Sequence, residues 1–180
     1  MTSDILRRAH NIAPVAAVQM EYSPFVLDIE SDLLATCREL GVAIIAYAPL
    51  GRGLLTSTFG NNVLSNDKAD VRQVAFPRFQ EENRDQNVKL VNQFRALADK
   101  KSCTTSQLAI AWLMKQGDDI IPIPGTKRIE YLEENWGALD VHLTDDDEAE
   151  IRKFVKTAEI AGGKEADMKK LNLKDSMKES

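Results

Sequence analysis

The sequence predicts an α/β fold built on a parallel sheet, because three apolar runs alternate with helical patterns. The runs lie at residues 15–20, 42–50 and 119–125, and each is short and nearly continuous in apolarity. Such runs are typical of parallel strands that are buried on both faces. Strands that alternate with helices form βα units, so we expect the three strands to be parallel.

The chain opens on a helical pattern in front of the first strand. Ser3 can cap this helix, and Ile5, Leu6, Ala9 and Ile12 form one apolar face. The segment has no continuous apolar stretch of the kind that a secretory signal needs. We therefore expect a helix here rather than a signal peptide.

Further helices are predicted by a capping residue before an apolar pattern, by a glycine after it, or by both. These signals are Ser31 with Gly41, an apolar face over 83–100, Thr104 or Thr105 with Gly117, a pattern over 128–139, and Thr144 followed by acidic residues. Acidic residues in a first turn suit the positive end of the helix dipole.

Two segments do not fit a minimal βα repeat. Residues 51–80 form a long connection after the second strand, and connections of that length are usually functional or disordered. Residues 162–180 have mixed charge and few apolar side chains, which indicates a solvated tail. We therefore expect one folded domain over residues 1–161.

Four or five helices cannot cover both faces of a three-stranded parallel sheet, and the two edges of this sheet are left unpaired. From the pattern alone the sheet is either a small open α/β sheet or part of a closed barrel. Because unpaired edges invite pairing with another chain, we expect self-association through them rather than a free monomer.

Composition excludes two classes of protein. The net charge is -5 and the pI about 5.2, which argues against a nucleic-acid binder, so any anion site must be local. No apolar run approaches the length of a membrane span. Cys37 and Cys103 lack CxxC spacing, which predicts reduced thiols in a cytoplasmic protein. His10 and His142 are isolated, so no metal site is predicted.

Polar groups follow the first two strands. The Gln19 amide could hold another amide, although a glutamine bonded only to backbone at the edge of the core is the favoured interpretation from spacing. Tyr47 offers an aromatic face after the second strand, and Gly51 and Gly53 let backbone N–H groups approach an anion. Arg52, between these glycines, adds a positive charge.

A cationic pair follows the third strand. The chain turns at Gly125, Thr126 can cap the next helix, and Lys127 and Arg128 stand at its amino end. Cations are unfavourable there for helix stability, whereas an anion bound at a helix amino terminus would be stabilised by them. A solvated charge pair is the alternative, but the position favours an anion site.

Four stretches together resemble the aldo-keto reductases: "VQMEYSP", "AYAPLGRGLL", "QLAIAWLMKQ" and "IPIPGTKRIEYLEEN". They occur in the family's order and spacing, over residues 4 to about 158. The resemblance implies the carboxyl-terminal part of a TIM (β/α)8 barrel, about strands six to eight with their helices. It also implies the cofactor NADP(H).

The resemblance assigns one group of residues to the nicotinamide and pyrophosphate. It implies that Gln19 holds the carboxamide and that Tyr47 stacks on the nicotinamide ring. The backbone that would follow the pyrophosphate comprises Ala48, Pro49, Leu50, Gly51, Arg52 and Gly53. The connection over 51–80 corresponds to a loop that folds over the cofactor, although Ser57 and Thr58 stand where some relatives have Gly-Lys.

A second group would hold the adenosine end of the cofactor. The resemblance implies that Glu134 and Asn135 contact the adenine end. The residues it implies for the 2′-phosphate are Gly125, Thr126, Lys127 and Arg128.

The family's catalytic tyrosine, lysine, aspartate and histidine would lie on earlier strands, so no catalytic residue is assigned here. The leading hypothesis is an NADPH-dependent reductase of aldehydes or ketones, present as its cofactor-binding half. Its small-molecule carbonyl substrate would be bound once an amino-terminal half completes the barrel. The alternative is a non-catalytic nucleotide-binding half-barrel that self-associates, and a further one is a truncated chain that does not fold.

Overall fold

The computed structural model describes residues 1–60 and 72–164. Its sheet contains strands Ala17–Glu21 (β1), Ala43–Tyr47 (β2) and Ile120–Pro122 (β3). The strands are parallel and ordered β1-β2-β3, with Gln19 opposite Ile45 and Ile45 opposite Ile121. The predicted parallel α/β sheet is therefore confirmed.

Eight α-helices accompany the strands in the part of the chain that the structure describes. They are Ser3–Ile12 (α1), Leu33–Leu40 (α2), Ser57–Gly60 (α3), Arg72–Ala75 (α4), Glu81–Lys100 (α5), Thr105–Met114 (α6), Ile129–Trp136 (α7) and Asp145–Thr157 (α8). Short 3-10 turns lie at Asp28–Ser31, Gly51–Gly53, Pro77–Phe79 and Gly137–Asp140. The middle of the connection over 51–80 lies outside the described residues.

Three of the predicted helix ends are confirmed, whereas α6 ends at Met114 rather than at Gly117. Thr104 and Thr144 each cap a helix in a reciprocal capping box, and Gly41 ends α2 with a left-handed φ of 66°. The prediction for Ser31 was wrong, because a 3-10 turn includes it and Asp32 stands at the start of α2. Likewise Thr2, rather than Ser3, caps α1.

The sheet is covered by helices on one face only, so the prediction of strands buried on both faces was wrong. Alternate side chains of a strand point to opposite faces. Those packed against the helices are buried, namely Val18, Ile44, Ala46 and Ile120. On the other face Ala17 and Gln19 are exposed and Ile121 is 45% exposed. Two sheet edges and one sheet face are therefore open in the described chain.

The apolar face predicted for α1 is also corrected. Leu6 is buried in the core, whereas Ile5 and Ile12 are exposed. Only one side of α1 packs against another element, because α1 contacts α2 through Leu6 and through an ion pair from Arg7 to Glu39 at 2.6 Å. The apolar residues on the other side of α1 are therefore exposed.

The core lies between the sheet and the helices, and a smaller cluster lies beneath the connection that follows β2. The smaller cluster contains Leu54, Phe59, Phe79 and Val91. Asn87 of α5 fixes the chain next to it, since its amide donates to the carbonyls of Arg78 at 2.8 Å and Ala161 at 2.9 Å. No described helix is both long enough and apolar enough to span a membrane. Residues 165–180 of the predicted tail lie outside the described residues.

Candidate functional site

A cleft of about 860 Å³ opens where the chain leaves β2 and β3. Carboxyl ends of parallel strands form the ligand-binding edge in α/β folds, so this is the expected place for a site. Its lining comes from the segment after β2, from the segment after β3, and from α7. The sequence-predicted residues among them are Ala48, Pro49, Leu50, Arg52, Gly53, Gly125, Thr126, Arg128, Glu134 and Asn135.

The segment after β2 forms a tight turn on the cleft wall. Arg52 itself adopts a left-handed φ of 59° between Gly51 at 57° and Gly53 at 100°. Arg72, which lies at the far end of the long connection, donates to the Arg52 carbonyl at 2.9 Å, and its guanidinium lies next to Gly53. A Cβ at Gly53 would displace that guanidinium, and the φ of 100° favours glycine at this position.

Arg52 ties this turn to the end of β1. Its Nη1 lies 2.5 Å from Glu21 Oε1, and both side chains are mostly shielded from solvent. The guanidinium also lies 5.0 Å from the ring centre of Phe76 and 5.9 Å from that of Tyr47. The positive charge of Arg52 is thus partly neutralised, and one face of Tyr47 is occupied by it.

The segment after β3 brings Arg128 to the opposite wall of the cleft. The Arg128 N–H donates to Thr126 Oγ1 at 3.2 Å, which shapes the turn before α7. Its guanidinium lies 5.4 Å from the ring centre of Tyr131 and 3.8 Å from Glu130. Of the predicted cationic pair, Arg128 lines the cleft, whereas Lys127 is exposed outside its lining.

Three other predicted site residues lie outside the cleft lining. Gly51 is buried beneath the turn. The side chains of Gln19 and Tyr47 lie on the open face of the sheet, because they alternate along their strands with side chains that face the helices. Their strand partners, Ile45 and Glu21, lie on the same open face. Tyr47 is half-buried and Gln19 is exposed. The two side chains therefore lie on the same face of the sheet.

The cleft is locally cationic in a chain of net negative charge. Arg52, Arg72 and Arg128 line it together with one acidic residue, Glu134. Arg78, which precedes the lining residue Phe79 in the chain, is buried. Burial lowers the pKa of the Arg78 guanidinium, whereas the charge of Glu21 acts in the opposite sense. Such an arrangement favours a ligand that carries phosphate groups.

Several lining residues had not been identified from the sequence. They are Thr56, Phe59, Arg72, Gln73, Phe79, Ser106, Pro124 and Tyr131. Five of them belong to the connection over 51–80, whose unusual length was the only signal for them. Ser57 and Thr58, noted as a departure from relatives, also line the cleft. Ser106 and Tyr131 sit on helices whose patterns gave no hint of a site.

Fold and cleft together define an α/β protein of the parallel βα class with a cationic cleft at its strand ends. Comparison with known proteins identifies its family. The model of the Aldo/keto reductase family matches residues 1–156, and the chain belongs to this family.

Two curated relatives support the assignment. The chain is 46% identical over 166 residues to yakc, an NADP(+) aldo-keto reductase of Schizosaccharomyces pombe, with 91% of this chain and 48% of the relative aligned. It is 46% identical over 166 residues to aldo-keto reductase str7 of Strobilurus tenacellus, with 91% of this chain and 49% of the relative aligned. The chain thus spans about half the length of the curated relatives it matches.

A solved structure agrees with the fold. The glycerol dehydrogenase of Gluconobacter oxydans superposes with a TM-score of 0.75 at 24% identity, covering 88% of this chain and 47% of that protein. The fold is accordingly that of the aldo-keto reductases, which are TIM barrels.

Proposed function

We propose that the chain is the carboxyl-terminal, NADPH-binding half of a cytoplasmic aldo-keto reductase that reduces aldehydes or ketones. The observation that carries the proposal is a single cleft, formed by the turn Gly51–Gly53 and the segment Gly125–Arg128. These segments follow different strands, yet their cationic groups share one cavity. Bound NADPH would supply the hydride for the reduction.

The residues present fit that cofactor. Arg52 and Arg72 lie on the wall formed by the turn after β2, where a pyrophosphate would meet their guanidinium groups. The N–H groups of Gly51 and Gly53 already donate within the turn. Arg128 lies on the other wall and would hold the 2′-phosphate, with Asn135 and Glu134 beside the adenosine. The free face of Tyr47 would receive the nicotinamide ring, and Gln19 would bind its carboxamide.

The test is discrimination between NADPH and NADH, which differ by one phosphate. Replacing both Lys127 and Arg128 with alanine should weaken NADPH far more than NADH in fluorescence titrations. A charge-assisted hydrogen bond is worth about 1.5–3 kcal/mol, or roughly tenfold or more in affinity. Because Arg128 lines the cleft and Lys127 does not, Arg128→Ala should account for most of the loss of NADPH affinity.

Lys153→Ala is the matched control, because this exposed lysine of α8 does not line the cleft. The Lys153→Ala substitution should change neither the NADPH affinity nor the NADH affinity. The titrations are best made both with the chain alone and with the chain completed by the amino-terminal half of a relative. Equal losses of NADPH and NADH affinity would remove the 2′-phosphate assignment.

A second candidate is a non-catalytic nucleotide-binding half-barrel that self-associates. The open sheet face and the unpaired edges of β1 and β3 favour it. The two candidates differ in what happens after assembly. A reductase half gains carbonyl reduction when an amino-terminal half is added, whereas a regulatory half-barrel binds NADPH in its own assembly without turnover.

A further inference from the structure

Two of the cleft arginines lie over phenylalanine rings of one short segment, residues 76–79. The Arg52 guanidinium lies 5.0 Å from the ring centre of Phe76, and the Arg72 guanidinium lies 5.6 Å from the ring centre of Phe79. A cation over the face of an aromatic ring is attracted to it. The position of the 76–79 segment therefore helps to set where both positive charges stand in the cleft.

The 76–79 segment forms one unit with α4, the short helix that carries Arg72. The Phe76 N–H donates to the Arg72 carbonyl at 3.0 Å, and the Phe79 N–H donates to the Phe76 carbonyl at 2.9 Å. Phe79 lines the cleft and is also buried in the smaller apolar cluster. A displacement of the 76–79 segment would therefore move Arg72 with it.

The end of the described chain, residues 159–164, packs against the backbone of the 76–79 segment, and we call it the strap. Gly162 in the strap has a left-handed φ of 78°. A Cβ at Gly162 would lie 2.6 Å from the Pro77 carbonyl carbon and 2.7 Å from the Arg78 nitrogen. Both are backbone atoms, which cannot turn aside as a long side chain can. Glycine thus allows the strap to approach the 76–79 segment this closely.

Asn87 of α5 bonds the strap and the 76–79 segment to each other. Its side-chain amide donates to the Arg78 carbonyl at 2.8 Å and to the Ala161 carbonyl at 2.9 Å, and its Oδ1 accepts from the Ala161 N–H at 2.8 Å. Asn87 is fully buried, and these bonds satisfy its amide. The preceding residue, Gln86, donates to the Glu159 carbonyl at 3.0 Å. The strap is therefore fixed to α5 by two successive side chains.

From these contacts we infer that the strap and Asn87 are positioning elements for the cofactor. They hold the 76–79 segment, and through it Arg52 and Arg72, where the pyrophosphate of NADPH would bind. This role rests on the proposed function and extends it to residues outside the cleft, because neither Asn87 nor any strap residue lines it. A change in the strap should thus weaken binding at the pyrophosphate end. The 2′-phosphate end, at Arg128 on the opposite wall, should be unaffected.

Alanine at either of two neighbouring glycines tests this role. Gly162→Ala places a methyl group against the backbone of the 76–79 segment, whereas a Cβ at Gly163 would meet no atom within 4 Å. Gly162→Ala should raise the dissociation constants of NADPH and of inorganic pyrophosphate about tenfold, the contribution of one charge-assisted hydrogen bond. The dissociation constant of adenosine 2′-phosphate should stay the same. Gly163→Ala is the matched control and should change none of the three values.

Asn87→Asp is a second variant, of nearly the same size. It keeps an acceptor for the Ala161 N–H and loses both donated bonds, so it should show the same selective loss of affinity. Isothermal titration calorimetry measures the three dissociation constants, and a thermal melt shows that each variant is folded. If Asn87→Asp does not fold, the two glycine variants decide the question alone.

Three results would each overturn the positioning role. They are an unchanged pyrophosphate affinity in Gly162→Ala, an equal loss of adenosine 2′-phosphate affinity in that variant, and the same loss of pyrophosphate affinity in Gly163→Ala. Failure of the proposed function would look different, because it would already be seen with the native chain. A native chain that binds neither NADPH nor pyrophosphate would remove the proposed function, and the role of the strap with it.

Discussion

Arg52 shows how much of the site depends on one backbone conformation. Its left-handed φ of 59° turns the side chain back towards β1, where Nη1 meets Glu21 at 2.5 Å. A non-glycine residue rarely adopts this conformation unless its surroundings hold it there. Here the Glu21 carboxylate and the hydrogen bond from Arg72 to the Arg52 carbonyl do so. Arg52 therefore orders the turn in addition to contributing charge.

Tyr47 lies beside this arginine, which leaves it one face for a ligand. Tyr47→Ala should lower NADPH affinity about two- to tenfold, because aromatic stacking contributes roughly 0.5–1.5 kcal/mol beyond the area it buries. The affinity for 2′,5′-ADP, which lacks the nicotinamide, should be unchanged. Tyr47→Phe keeps the ring and is the control for both titrations. An equal loss of 2′,5′-ADP affinity would show that Tyr47 does not stack on the nicotinamide.

At the scale of single elements, the start of α8 predicts a dependence of stability on pH. Asp147 accepts from the Thr144 backbone N–H at 2.9 Å and lies 2.5 Å from Lys101 Nζ. The Lys101 contact, followed by the Thr144 hydrogen bonds, lowers the pKa of Asp147 to about 2. An unfolded aspartate has a pKa of about 3.9. A carboxylate whose pKa is lower in the folded state stabilises the fold above about pH 4, and this contribution is lost as pH falls towards 2.

Asp147→Asn should therefore lower the free energy of unfolding at pH 7 by about 0.5–1 kcal/mol, the range of a partly exposed ion pair. The difference from the native chain should shrink at pH 3 and disappear below pH 2. Urea unfolding at these pH values measures it. Asp146→Asn, in the same helical turn but exposed, is the control. A difference that is independent of pH would contradict the role of the Asp147 charge.

Helix ends and turns could be predicted from sequence because their chemistry is local. Thr104, Thr144 and Gly41 act on backbone groups within a few residues, so the residue type alone indicates their role. Whether a strand is covered on its second face depends instead on what packs across it. For Gln19 and Ile121 no local signal distinguishes a face that is covered by helices from one that is open.

The site residues also differ in whether their role has a local signal in the sequence. Gly51–Gly53 and Gly125–Arg128 could be found because glycines and cations at strand ends have a local meaning. Arg72 could not, because it reaches the turn from twenty residues away in the chain. The sequence also could not predict which of Lys127 and Arg128 lines the cleft, since neighbouring residues before a helix point in different directions.

At the scale of the whole molecule, a polar network joins the first βα connection to α8. Tyr22 donates to Glu30 at 2.6 Å, and Arg152 of α8 donates to the same carboxylate at 2.6 and 2.8 Å. The Arg152 guanidinium also lies 4.7 Å from the ring centre of Trp112. Burial, followed by the hydrogen bond to Glu30, raises the pKa of the Tyr22 hydroxyl. Tyr22 therefore serves the core and is unsuited to donating a proton to a substrate.

This bears on the last prediction, that the chain alone does not reduce carbonyl compounds. Hydride transfer to a carbonyl develops negative charge on oxygen, which a positioned proton donor must meet. Of the three tyrosines in the chain, Tyr22 is buried, and Tyr47 and Tyr131 each lie beside an arginine. An arginine stays protonated and cannot pass on a proton. The family resemblance implies that the tyrosine donor and its lysine belong to the other half of the barrel.

We therefore expect the purified chain to bind NADPH weakly and to oxidise it no faster than buffer does when aldehydes are added. Loss of general acid catalysis alone typically lowers a rate about 10²–10⁴-fold. Absorbance at the dihydronicotinamide band measures the rate, and fluorescence titration measures the binding. Adding the amino-terminal half of a relative should restore turnover if the halves dock, because that half would bring the donor to the open sheet face beside Tyr47. Rapid NADPH oxidation by the chain alone would contradict this and would require a proton donor among its own residues.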